Sequence, residues 1–343
     1  MESDETLDIV DSHTCGQPTR VILNGTGLMP GLSPVDARYL LAGSRDWVRR
    51  LAVFEPRGHR SMFAAALIEP AHPEDSFGVV FMDANGYPDM CGHATIGVAT
   101  TLCEIGLIKS PDSAPTERLV FDLRTPAGLL ELEASMVGGR CEAITFRTPL
   151  AYYVGSITLD IGHAGPVQVD VAYGGQYYAF LPADSVGLAV VPDAIDKLVA
   201  AAKPVRDVLN TAFSIIDPVT GEVPEIGNIV WTSPAHSPEA HARNVPISHG
   251  HSFDRSPCGT ATCARMAVLV AQDKLAIGET FINESILGTH YFGIATCTHE
   301  TVDGGIVPQV RGSAWITGRG QLMRDQRDPL GLGYLLGGGD AVL

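Results

Sequence analysis

Asp89-Met-Cys-Gly-His-Ala-Thr-Ile-Gly-Val-Ala99 is the stretch on which the reading of this chain turns. A related copy lies far downstream as Ser256-Pro-Cys-Gly-Thr-Ala-Thr-Cys-Ala-Arg-Met-Ala267. Both contain Cys-Gly, then His or Thr, then Ala-Thr, and both run into an Ala-rich apolar segment of helical character. The two cysteines stand 167 positions apart (258 − 91) in a chain of 343 residues, close to half its length. Match, context and separation together indicate two related domains, each supplying one equivalent cysteine, and not a short-period solenoid.

The local pattern places each cysteine at a turn that opens a helix. Ahead of Cys91, residues 77–82 read as a strand and 83–88 as a turn; residues 93–104 then predict a helix that Gly106 stops. Ahead of Cys258 comes Asp254-Arg-Ser-Pro, and residues 260–274 predict the matching helix. Short strands are expected at 117–123, 128–133, 145–150, 167–171, 176–181, 229–232 and 306–317, with further helices at 33–51 and 192–209. Many short strands with few helices point to an α+β chain and not to a doubly wound sheet.

Composition sets the outer bounds. A chain of 343 residues suits two domains, and 45% hydrophobic with 18% charged residues is the balance of a globular protein. Twenty-three basic against 39 acidic residues give a formal charge of −16, a field that repels nucleic acid and anionic membrane, so neither is an expected partner. The acidic N-terminus lacks the features of a secretion signal, and no apolar run approaches the roughly 20 residues of a membrane helix. Seven cysteines, an odd and sparse set, argue against a disulfide framework and for a reducing cytoplasm.

A thiol at a helix N-terminus has its pKa lowered by the partial positive charge there, and the same backbone N–H groups cradle a carboxylate. Glycine after the cysteine lets a ligand approach the backbone. Two such helices facing across a cleft would hold one carboxylate between two thiols, an arrangement suited to removing a proton from one face of an α-carbon and delivering one to the other. A cysteine before glycine is ordinarily a small buried hydrophobe, but packing has no reason to repeat it in both halves. Cys91 and Cys258 are therefore read as catalytic, and Cys15, Cys103, Cys141, Cys263 and Cys297 as structural. His93 in the first helical turn and Asp254, four residues before Cys258, join them as candidates.

Other chemistries find less support. His249, His251, Cys258 and Cys263 offer nitrogen and sulfur ligands, but their spacing matches no common zinc pattern, so no metal is expected. There is no Cys-x-x-Cys, phosphate loop, dinucleotide fingerprint or nucleophile elbow. The four lysines, at 109, 197, 203 and 274, lie in no setting that suggests a Schiff base, which favours a mechanism without cofactors.

At these residues the chain resembles the proline racemase family, which includes 4-hydroxyproline 2-epimerases and trans-3-hydroxyproline dehydratases. The resemblance runs through Asp11-Ser-His-Thr-Cys-Gly-Gln-Pro-Thr-Arg, Glu55-Pro-Arg-Gly-His, the two Cys-Gly copies, Phe281-Ile-Asn-Glu-Ser-Ile-Leu-Gly and Arg327-Asp-Pro. It implies a diaminopimelate-epimerase-like fold: two similar α+β domains, each a curved sheet around a central helix, with the active site in the cleft between them. The expected domains are 1–148, joined by a returning segment 321–343, and 149–320.

Carried over by position, the resemblance makes Cys91 and Cys258 the general base and general acid, exchanging roles with substrate direction. Gly92 with His93, and Gly259 with Thr260, become contacts to the substrate carboxylate, and Asp254 meets the substrate amino group. The implied partner is a small imino acid, most like trans-4-hydroxy-L-proline, epimerised at C2; a homodimer is one form the assembly could take. Dehydratase members carry threonine in place of the second cysteine, so Cys258 speaks for a racemase or epimerase. Ala261 and Cys263 depart from the Gly and Ser often found there, and a methyl at Ala261 beside the carboxylate cradle would narrow the pocket or shift the ring. Glu55–His59 and 281–288 look more like hydroxyproline epimerases than proline racemases. Phe63, His236 and His241 are candidates for contact with a ring hydroxyl. The rival readings are proline racemase, 3-hydroxyproline dehydratase and a non-catalytic imino-acid binding protein.

Overall fold

The computed structural model describes residues 5–109, 116–161, 165–249 and 252–336. The chain falls into two compact units, Met1–Phe146 with Gly312–Leu343, and Arg147–Arg311.

In the first unit β1 (Glu5–Thr14) and β2 (Gln17–Asn24) form a hairpin. Both turn residues, Cys15 (φ +50°) and Gly16 (φ +97°), have the left-handed backbone that matches strand twist in a two-residue turn. Helices α1 (Pro34–Ser44) and α2 (Trp47–Val53) follow, then β3 (Phe63–Ile68) and β4 (Phe77–Met82). Helix α3 (Gly92–Glu104) leads into β5 (Arg118–Thr125), β6 (Gly128–Val137) and β7 (Arg140–Arg147). The second unit runs through β8 (Ala151–Asp160), β9 (Pro166–Tyr173), β10 (Tyr177–Pro182), α4 (Ile195–Ala212), β11 (Asn228–Ser233), β12 (Ala242–Ile247), α5 (Gly259–Ala271), β13 (Thr280–Ser285), β14 (His290–Thr298) and β15 (Gly305–Gly312). The chain then returns to the first unit as β16 (Ala314–Arg324), which pairs antiparallel with β1.

The repeat seen in the sequence is a repeat of topology. From β16 through β1 to β7 the successive pairs are antiparallel, antiparallel, parallel, antiparallel, parallel, antiparallel and antiparallel. From β8 to β15 the same seven pairings recur in the same order. Parallel neighbours need a crossover, and helices supply it at matching places: α1 with α2 and then α3 in the first unit, α4 and then α5 in the second. In the second unit β15 also pairs with β8, so its eight strands close into a ring.

Each Cys-Gly helix is buried by its own unit. Every residue of α3 from Gly92 to Cys103 is buried, as are Gly259–Ala264 and Met266–Val268 of α5. A helix apolar on all sides belongs in an interior, whereas α4 buries only the stripe Leu198, Ala202, Val205, Arg206 and Leu209. Gly97 permits the close approach of α3 to β2, since a Cβ there would lie 2.9 Å from that of Thr19.

Three expected elements are corrected. The helix at 33–51 is two: Ser33 caps α1 by accepting the Asp36 N–H (3.1 Å), but Arg45 leaves helical geometry and donates to the Thr26 carbonyl (2.9 Å). The strand at 145–150 is the end of β7 and the approach to β8, separated at Pro149, which has no N–H for a ladder. The strand at 306–317 is β15 and β16, parted at Ser313, whose carbonyl accepts the Cys15 N–H (3.2 Å).

Candidate active site

Cys91 is the N-cap of α3 and has extended backbone (φ −146°, ψ 115°). The first helical rung runs from the Thr95 N–H to the Cys91 carbonyl (2.9 Å), so the amides of residues 92–94 precede the ladder and carry the positive end of the helix dipole. His93 turns its ring back on the cysteine, with Nδ1 3.3 Å and Nε2 3.8 Å from Sγ. Phe63 packs edge-on against the imidazole at 4.6 Å between centroids, and the Thr14 hydroxyl donates to the His93 carbonyl (2.8 Å). The signature hairpin 11–20 thus buttresses this helix start; the Asp11 carboxylate grips Arg20 through two 2.8 Å bonds, and Gln17 donates to the Ser61 carbonyl (2.9 Å). A thiol and an imidazole at this separation can exchange a proton directly.

Cys258 caps α5 in a different way, at φ +64° and ψ 117°. That backbone is uncommon for a residue with a Cβ and persists only where neighbours over-determine it. Here they do. The Cys258 N–H donates to the Ser256 hydroxyl (3.1 Å), and the Ser256 N–H donates to the Asp254 carboxylate (2.8 Å). The Pro257 carbonyl accepts from Asn244 (3.2 Å) and Asn283 (3.3 Å). The Cys258 carbonyl accepts both the N–H (2.9 Å) and the hydroxyl (2.7 Å) of Thr262. On the sulfur side, Sγ lies 3.5 Å from the Thr260 hydroxyl and 3.8 Å from that of Tyr178, and those two hydroxyls are 2.5 Å apart.

Burial pushes the Cys258 thiol up to about 12, with the Asp254 charge adding to it; the Thr260 hydroxyl, the Ala261 amide and the Tyr178 hydroxyl pull the other way. The lowered pKa expected of a thiol at a helix start is therefore not found at this cysteine, because desolvation outweighs the helix dipole and its donors. Tyr178 is also raised well above the ordinary phenol value by burial and by the nearby Cys258 and Asp254, so its hydroxyl stays protonated.

The structure brings Cys91, Gly92 and His93 together in the first unit, and Asp254, Cys258, Gly259 and Thr260 together in the second. The Ala261 side chain is fully buried in an apolar cluster with Ala172, Tyr178, Phe180, Val230, Ala264 and Val268, against which Cys258 also packs. Cys263 is likewise buried, accepts the Thr148 hydroxyl at 3.7 Å, and is pushed up to about 12 by burial. The ring nitrogen of His241 accepts the Ile282 N–H (2.9 Å), and the His236 backbone N–H donates to Glu284 (2.7 Å), so both serve the strand framework. His249 faces Glu225 at 3.4 Å, and His251 lies outside the described residues. Among the described residues no three His, Cys, Asp or Glu side chains form a group that could hold a metal ion, and no helix is long and apolar enough to cross a membrane.

Tyr178 is the site residue that the sequence reading did not single out. Residues 177–181 form a continuous apolar run that is buried throughout, so no alternation marks Tyr178; strand geometry puts it with Phe180 on the face of β10 against which α5 packs.

A family model described as proline racemase matches residues 9–335. A 4-hydroxyproline 2-epimerase of Streptosporangium roseum is 37% identical over 98% of this chain and 100% of its own length. A proline racemase of Clostridioides difficile is 34% identical over the same shares. Among solved structures, a hydroxyproline epimerase from Agrobacterium vitis with bound trans-4-hydroxy-L-proline superimposes with a TM-score of 0.82 at 23% identity, covering 97% of this chain and 96% of that one.

Proposed function

Because the chain belongs to the proline racemase family, an enzyme family whose named relatives are racemases and epimerases, we propose that it inverts C2 of a cyclic imino acid. The substrate is trans-4-hydroxy-L-proline, converted reversibly to cis-4-hydroxy-D-proline without a cofactor. The observation that carries this reading is the duplicated cysteine. Each unit presents a Cys-Gly helix start at the same step of the same strand order. Two thiols are what an inversion needs: one takes the α-proton and the other protonates the opposite face.

The unlike surroundings of the two thiols support a division of labour. Cys91 has the His93 imidazole 3.3 Å away to receive its proton and so enters as thiolate and base. Cys258, kept protonated by burial and by Asp254, enters as thiol and acid. In the reverse direction the roles exchange. The substrate carboxylate rests on the amides of Gly92 and His93 and of Gly259 and Thr260, where helix N-termini stabilise the charge that builds on it during transfer. Asp254 meets the cationic imino nitrogen. That pairing offsets the carboxylate charge that holds the Cys258 proton, so substrate binding makes the acid more ready to give it up.

The Streptosporangium relative and the ligand of the Agrobacterium structure support the 4-hydroxy substrate. The Clostridioides relative supports proline as the second reading. Purified protein incubated in D2O with L-proline, trans-4-hydroxy-L-proline and trans-3-hydroxy-L-proline separately, followed by NMR and chiral chromatography, tests the assignment. Inversion with deuterium at C2 of the 4-hydroxy substrate is expected. Inversion of proline alone would move the assignment to a racemase. Loss of the 3-hydroxyl would replace it by a dehydratase, and exchange on none of the three would overturn it.

A further inference from the structure

We infer that Tyr178 is a positioning residue that orients the Thr260 hydroxyl so that it donates to the Cys258 sulfur, an inference that deepens the acid and base roles proposed above. Three atoms carry it: Tyr178 Oη and Thr260 Oγ1 are 2.5 Å apart, Thr260 Oγ1 and Cys258 Sγ 3.5 Å, and Tyr178 Oη and Cys258 Sγ 3.8 Å. The ring of Tyr178 is buried on β10 among Ala172, Phe180 and Ala261, so its hydroxyl has little freedom to turn elsewhere.

A threonine hydroxyl has one proton and two lone pairs. If Tyr178 donates to Thr260 Oγ1, the single Thr260 proton is left for sulfur, and a donor aimed at sulfur stabilises thiolate over thiol. A chain of two donors polarises along its length, which strengthens the last bond. Without the phenol, the Thr260 proton is free to rotate away. Gly174 holds the geometry from the other side, because a Cβ there would lie 2.4 Å from the Thr260 carbonyl oxygen. The charged groups around the sulfur are few: Asp254 faces it from the preceding turn and opposes the donors. Asp170 on β9 and Arg265 on α5 pair with each other at 3.8 Å, and Arg255 lies over the Phe253 ring.

The test reads the sulfur and not turnover. Alkylation of Cys258 by iodoacetamide is followed by peptide mass mapping between pH 7.5 and 9 in the wild type, Tyr178→Phe, Thr260→Val, Thr260→Ser and the Tyr178→Phe/Thr260→Val pair. A hydrogen bond to thiolate of ordinary strength moves the thiol by about half to one pH unit, so Tyr178→Phe is expected to alkylate about 3- to 10-fold more slowly at every pH. Thr260→Val should slow it at least as much, Thr260→Ser should stay near the wild type, and the double variant should be no slower than Thr260→Val. The limb of the kcat/KM profile that belongs to Cys258 should move to higher pH in Tyr178→Phe.

Unchanged or faster alkylation in Tyr178→Phe would overturn the inference, since a merely loosened site exposes the sulfur and speeds the reaction. Additive slowing in the double variant would overturn it too. Should Tyr178→Phe fail to fold, unchanged alkylation in Thr260→Val has the same force. A wild type that inverts no imino acid would sink the proposed function and leave the alkylation result standing.

Discussion

At Cys258 burial and one carboxylate hold the proton on the sulfur against the hydroxyl and amide groups that favour the thiolate. Replacing Asp254 by Asn removes a negative charge beside the thiol and should bring its pKa below about 12, so that iodoacetamide labels Cys258 faster at fixed pH. On the proposed role of Asp254 as counter-charge to the imino nitrogen, the same change should also raise KM. Slower labelling would mean that Asp254 acts through the backbone of 254–258, where it accepts the Ser256 N–H, and not through its charge. The thiols themselves admit a plainer test. Cys91→Ser and Cys258→Ser leave a hydroxyl of nearly the same shape but far weaker acidity, so each should lower kcat by about 10²–10⁴-fold with the thermal transition unmoved. Full activity in either variant would rule out two-base inversion.

The helices that carry the cysteines depend on elements that approach them without side chains. A Cβ on Gly174 would lie 2.4 Å from the Thr260 carbonyl oxygen and 2.5 Å from the Ala264 nitrogen, both backbone atoms of α5 that cannot swing aside. Gly174→Ala should therefore push the first turn of α5 outward, costing about 1–3 kcal/mol in denaturant unfolding and raising KM. Unaltered stability would show that the β9–β10 turn yields instead. A second element, the turn 217–222, answers to pH. Burial raises the Asp217 carboxyl, but the hydroxyls of Tyr177 (2.6 Å) and Tyr152 (3.4 Å), with the amides of Val219 and Thr220, bring it below the ordinary 3.8. A carboxyl lowered by folding contributes stability above its unfolded pKa and loses it as pH falls through the folded value. Asp217→Asn should flatten the acid end of the stability curve below about pH 4; an unchanged acid slope would count against it. Elements of this kind differ in how plainly the sequence announces them. Helices α3 and α5 are legible because Cys-Gly punctuates their starts and Gly106 the end of the first. Strand β3 is not, since the centre of Phe63-Ala-Ala-Ala-Leu-Ile is made of good helix formers and becomes a strand through its parallel neighbour β2 and antiparallel neighbour β4. Tyr178 was hidden for a related reason: its strand was readable, but that its hydroxyl meets Thr260, 82 positions on, is a fact of the folded chain.

Over the whole molecule, a pattern of five positions, four of them identical, shared by two stretches of sequence expands into seven strand pairings repeated in order, with helices crossing at the same two places. Duplication supplies like positions with unlike chemistry: His93 follows Cys91-Gly92 where Thr260 follows Cys258-Gly259, and the two N-caps differ in backbone as well, φ −146° against +64°. The proposed reaction uses both halves on one α-carbon, and this has a consequence that no single-thiol scheme shares. The proton taken from the substrate stays on one sulfur, while the proton delivered to the product comes from the other, which has equilibrated with solvent. In D2O, early in the reaction and starting from the L-isomer, product should carry deuterium at C2 while recovered substrate keeps its protium. Started from the D-isomer, the labels should reverse. Because forward and reverse kcat/KM are tied by the equilibrium constant, either Cys→Ser change must lower both by one factor, however unlike the two thiols are. The measurement is mass spectrometry of both isomers, separated on a chiral column, in the first few per cent of conversion. Protium in the early product would mean that one group serves both faces, and the duplicated helix starts would then need another explanation than paired acid and base.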